Sequence, residues 1–145
     1  MYVDPVAYVI EGLTPVSRHG QYLIDLKIKN HDALATLTRG AAGQDQIETL
    51  ISCANICEAL YRMGFGVEYG DVVKHGQDAL HAVGKRGIET GKFILKAQEM
   101  QALNSMMELH DAQMGVITIK DMEKAVLIIK REYEQKKMRP IVEKS

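Results

Sequence analysis

Residues 97–138, AQEMQALNSMMELHDAQMGVITIKDMEKAVLIIKREYEQKKM, carry the strongest periodicity in the chain. Leu103, Met107, His110 and Met114 recur at spacings of four, three and four, which puts them on one side of a helix. After Gly115, Val116 and Ile117 comes Thr118-Ile119-Lys120-Asp121, a capping-box signature with Asp in place of the usual Glu or Gln. The Thr118 hydroxyl is positioned to accept from a first-turn N–H, and the Asp121 charge suits the positive helix N-terminus. A second helix follows, with Met122, Val126, Ile129 and Tyr133 on one face. Ala125 to Ile129 is apolar all round, which marks a helix covered on more than one side. These two helices are expected to form a central hairpin against which the earlier helices pack.

Working back toward the N-terminus, the same periodicity continues. Residues 71 to 87 or 91 form a helix with Val73, Leu80 and Val83 inside, Asp71 as its cap, and Gly76, Ala79 and Gly84 small enough for close approach. A helix from Gln44 or Asp45 to about Met63 carries Ile47, Leu50, Ile51, Ala54 and Tyr61, and Gly64-Phe65-Gly66 ends it. Residues 21–38 are ambiguous. Tyr22, Ile24, Leu26 and Ile28 alternate with charged residues as in a strand, yet no second convincing strand exists to pair with it. Leu26, Ala33, Leu34 and Leu37 also fit one helical face, so helix is the reading adopted, with Asn30-His31-Asp32 placed to interrupt it. Asp4-Pro5 opens a short helix over about residues 5–11, or else an extended arm; Val6, Val9, Ile10 and Leu13 follow helical spacing. The expected architecture is an all-α bundle of about five helices, one domain over residues 1–139, with 140–145 a tail begun by Pro140.

Composition narrows the functional classes. A chain of 145 residues, 46% hydrophobic, supports a core without disulfide or metal. The longest apolar run is five residues, far below the ~20 that span a bilayer, and no secretory signal is recognisable. A cytoplasmic protein is expected, with no membrane partner. A net charge of −1 disfavours nucleic-acid binding driven by gross charge. The charge is split, however. Residues 41–117 hold 6 basic and 10 acidic side chains, and residues 118–145 hold 8 and 5. Lys130, Arg131, Lys136, Lys137 and Arg139 make a basic stripe for an acidic partner or RNA, or simply a solvated face with Glu132 and Glu134 interleaved.

No pattern commits the chain to catalysis. Cys53 and Cys57 stand one turn apart, but with no further cysteine they are read as small hydrophobes. His75, Asp78 and His81 fan across about 120° of one helix and need a neighbour to hold a metal. No H-E-x-x-H, phosphate loop or recognition helix is present. No cofactor and no metal are therefore expected. Among polar clusters, Asn104, Glu108, His110 and Asp111 stand out: the first, second and fourth share a face at i, i+4 and i+7, while His110 falls on the apolar side. They are the candidate partner-binding patch, beside the plainer reading of a core histidine and a solvated acidic stripe. Met100, Met106, Met107, Met114 and Met122 either fill an irregular core or line an adaptable groove.

Leu26 to Leu34, together with Ala102-Leu103-Asn104 and Glu108 to Gln113, resembles a family of small uncharacterised proteins from proteobacterial genomes and prophages. The resemblance covers most of the chain after residue 20 and brings no established activity, so it assigns no catalytic residue. It implies a phage or prophage accessory protein acting on a host component. Three expectations follow. The first is a non-enzymatic, homo-oligomeric protein that binds and modulates a host protein, such as an anti-defence inhibitor. The second is a small metal-dependent enzyme using Glu108, His110 and Asp111 with His75 or His81 from a neighbour. The third is a nucleotide- or RNA-binding protein using the basic stripe.

Overall fold

The computed structural model describes the backbone of residues 21–138 and the side chains of residues 24–135. Five α-helices follow in order: α1 (Gln21–Thr38), α2 (Gln44–Arg62), α3 (Gly70–Thr90), α4 (Ala97–Val116) and α5 (Ile119–Met138), with a 3₁₀ turn at Val67–Tyr69. The described residues form an all-α bundle without strands. The expected segment 5–11, Arg139 and the tail lie outside the described residues.

Each boundary has a local cause. Residues 21–38 form a single helix, with Ala33, Leu34 and Leu37 buried on one side. Ile24 and Ile28 face outward, so the strand-like alternation there is coincidental. The Asn30-His31-Asp32 trio does not interrupt α1, because Asn30 is buried on the core side and Thr36 and Thr38 bond back to the carbonyls of Asp32 and Leu34 within the helix. At the start of α2, the Gln46 side chain accepts from the Gly43 N–H at 2.8 Å. Gly64 and Gly66 end α2 and turn the chain at φ values of 107° and 88°, where a side chain would be strained. Asp71 lies in the first turn of α3 and is not its cap; Tyr69 occupies that position and offers no side-chain bond. Gly91 closes α3 at φ 80°. The capping box at α5 forms as the sequence predicts. Asp121 accepts from the Thr118 N–H at 2.8 Å, and Thr118 Oγ1 accepts from the Asp121 N–H at 3.1 Å.

The packing centre differs from the expected one. The middle of the bundle is α2, which contacts α1, α3, α4 and α5. Leu50 and Ala59, nine residues apart and so about 180° around the helix, are both buried. The most extensive helix–helix contact is that of α3 with α4, where Gly76 receives Met106. The helices of residues 97–138 form, but they do not close on each other as a central hairpin. They share the buried corner of Met114, Ile117 and Ile119, beyond which α5 rests on α2 through Met122 and Ala125. The apolar run on α5 is therefore only half covered, with Val126 37% and Leu127 41% exposed.

Candidate functional site

The incomplete cover of α5 creates a groove of about 780 Å³ between α1, α2 and α5. Thr49, Ser52, Cys53 and Ile56 of α2 line it, with Leu26 and Asn30 on α1 and Met122, Val126, Ile129 and Tyr133 on α5. This is the apolar face of α5 that the sequence displays at spacings of four, three and four. Lys29, Lys130, Asp45 and Glu48 add charge of both signs to the lining. The apolar area available, charged at its margins, has the character of a surface that takes an amphipathic helix or apolar peptide.

The predicted polar patch on α4 is dispersed among different roles. Asn104 and Glu108 are exposed. Asp111 is tied to α1, accepting from His31 Nε2 at 2.9 and 3.1 Å through its two carboxylate oxygens. Both partners are partly exposed, so the pair adds at most about 1 kcal/mol.

His110 is only 2% exposed, as the core reading of its periodicity requires. Its protonation follows from its neighbours. Gln113 Nε2 donates to the carbonyls of Cys57 and Phe65, each at 3.1 Å, which turns Gln113 Oε1 toward His110 Nδ1, also at 3.1 Å. Flipping the amide would set its oxygen against two carbonyl oxygens. His110 thus carries its proton on Nδ1, leaving Nε2 a buried acceptor without a hydrogen-bond partner among the described residues. Burial pushes its pKa down, and the weaker effects of Gln113 and Asp111 raise it. The ring is neutral and works as a structural link from α4 to α2 and the loop after it.

The remaining candidates separate. His75 and Asp78 line a shallow groove between α3 and α4, whereas His81 lines another between α2 and α3. Among the described residues, no three His, Cys, Asp or Glu side chains gather as a metal site. Cys53 and Cys57 are buried thiols pushed up to about 12, chiefly by burial, which disfavours the reactive thiolate. Of the basic stripe, Lys130 lines the groove and Arg131 is exposed. Lys136 and Lys137 lie in the last turns of α5, beyond the described side chains. Met106, Met107, Met114 and Met122 are buried and Met100 is half-buried, so the methionines chiefly fill the core, and of these Met122 also lines the groove.

The α1–α2–α5 groove was missed from sequence as a composite, although its α5 wall was legible. The missing signal was α1: Leu26, Lys29 and Asn30 reach the groove only because α1 and α5 rest on the same helix. No described helix is long and apolar enough to cross a membrane. Set beside family models, curated proteins and solved structures, the chain matches none.

Proposed function

We propose that this chain is a non-enzymatic phage or prophage accessory protein that binds and modulates a host protein, acting as an inhibitor of a host defence component. The phage setting rests on the resemblance described above. The binding role rests on the groove, where the half-covered face of α5 leaves Val126 and Tyr133 37% and 58% exposed beside the apolar lining of α1 and α2. An apolar helix of the host protein would seat along α5, with Lys29, Lys130, Asp45 and Glu48 setting its register at the margins. Cytoplasmic action and assembly as a homo-oligomer belong to the same proposal.

The test is co-purification of the tagged full chain from its host. Wild type is compared with Val126→Glu and with the double variant Asn104→Ala, Glu108→Ala. A host protein retained by wild type and the double variant but lost from Val126→Glu supports the groove. Retention by Val126→Glu with loss from the double variant would return the binding role to the exposed face of α4.

A further inference from the structure

Asn30 stands where the periodicity of α1 asks for an apolar residue. Leu26, Ala33, Leu34 and Leu37 share its side of the helix, and only 6% of it is exposed. Its carboxamide has no hydrogen-bond partner among the described residues. Nor is the amide sealed in the core as His110 Nε2 is, because Asn30 lines the groove between α1, α2 and α5. Asparagine is a poor helix former, and an unpaired amide is costly to bury, so leucine at this place would serve folding better. A position that works against folding answers to something else.

The groove around it has the form of a helix seat. Met122, Val126, Ile129 and Tyr133 run along one wall over about 16 Å of helix axis, a ridge with which the rows of another helix interlock. The backbone amides of such a helix are already bonded to one another, so only a side chain can answer Asn30. A carboxylate offers acceptors alone and an ammonium donors alone. A second carboxamide offers both, and closes two hydrogen bonds head to head.

We infer that the groove's occupant is a partner helix whose apolar stripe is broken by one asparagine or glutamine, which pairs with the Asn30 carboxamide and fixes the register. A single polar residue in an apolar seam sets register and partner in coiled coils in the same way. The inference rests on reading the groove as a docking surface for a host helix, and it names what that helix carries. A wholly apolar helix would leave the Asn30 amide dry and unpaired, and is selected against.

The probe is a displayed library of random peptides, selected in parallel on the full-length wild type, Asn30→Leu and Val126→Glu. Peptides enriched on wild type should show apolar residues at i, i+3 or i+4, and i+7, with one Asn or Gln inside the stripe. Replacing that residue by Leu in a synthetic copy should weaken binding to wild type on the order of tenfold, and strengthen binding to Asn30→Leu. Where circular dichroism shows that Asn30→Leu does not fold, Asn30→Ala replaces it, and the preference for the carboxamide should vanish.

Stripes that are apolar throughout and bind wild type and the Asn30 variant equally overturn the pairing and leave the docking surface standing. A carboxamide preference untouched by the Asn30 substitution overturns it too, since another group would then be reading the peptide. Enriched peptides without helical spacing overturn the helical occupant. Peptides that bind Val126→Glu as well as wild type, or no enrichment on any of the proteins, remove the docking surface itself and the inference with it.

Discussion

His110 shows how one buried side chain makes a small helical protein sensitive to pH. Its neutral ring is built into a link that ends on the carbonyls of Cys57 and Phe65. Folding holds its pKa below the ordinary 6.5 through burial. The unfolded chain therefore binds the proton more readily than the folded one. The resulting stability is fully present above about pH 6.5 and is lost as pH falls below it toward the folded value. Urea titrations at pH 7.5 and 5.5 should show a lower midpoint at 5.5. His110→Gln, which cannot charge, should flatten that difference while lowering the unfolding free energy at both pH values by an amount on the order of 1–3 kcal/mol. An undiminished difference in that variant would assign the pH effect to other groups.

At the scale of elements, the contact between α3 and its C-terminal neighbours is set by which glycines are filled in by others. A Cβ on Gly87 would fall 2.1 Å from the Phe93 ring, whereas one on Gly84 would meet nothing within 4 Å. The loop that carries Phe93 is held by Arg86, which donates to the Ile94 carbonyl and pairs with both Glu99 oxygens. That pairing keeps the Glu99 carboxyl below its usual range and leaves the loop little freedom to move aside. Gly87→Ala should cost about 1–3 kcal/mol through overpacking, and Gly84→Ala should stabilise α3 by about 0.4–1 kcal/mol. Thermal melts of the two variants check the pair. Equal shifts would mean that Phe93 swings away freely.

For the whole molecule, the thiols report on how the bundle opens. Cys53 and Cys57 are buried on α2, the helix that every other one touches, and their pKa values of about 12 disfavour thiolate at neutral pH. Labelling by a disulfide reagent should therefore follow global unfolding, with both thiols reacting at one rate that rises with urea as the helical signal falls. Because Cys53 also lines the groove, faster labelling of Cys53 than of Cys57 in native buffer would reveal local opening of α1 or α5 away from α2.

Sequence alone determined the last four helices to within a few residues and the cause of several of their ends, and left the first between helix and strand. Glycines at left-handed turns, the Thr118–Asp121 box and the apolar spacing are local properties, and local backbone chemistry governs them. It put His110 on the apolar side of α4 but left it between a core residue and a member of the binding patch, and the structure buries it. Only the tertiary structure decided which helix is central and where the site lies. An apolar stripe states how much of a helix gains from cover, but not which neighbour provides it. Ala125 to Ile129 reads as covered on more than one side, yet α5 has α2 as its main neighbour and keeps Val126 and Leu127 partly in solvent. The small side chains Cys53, Ala54, Cys57 and Ala59 let α2 be approached from several sides and so take the centre. A groove bounded by residues 26–30, 45–56 and 122–133 exists only once three distant segments share one support.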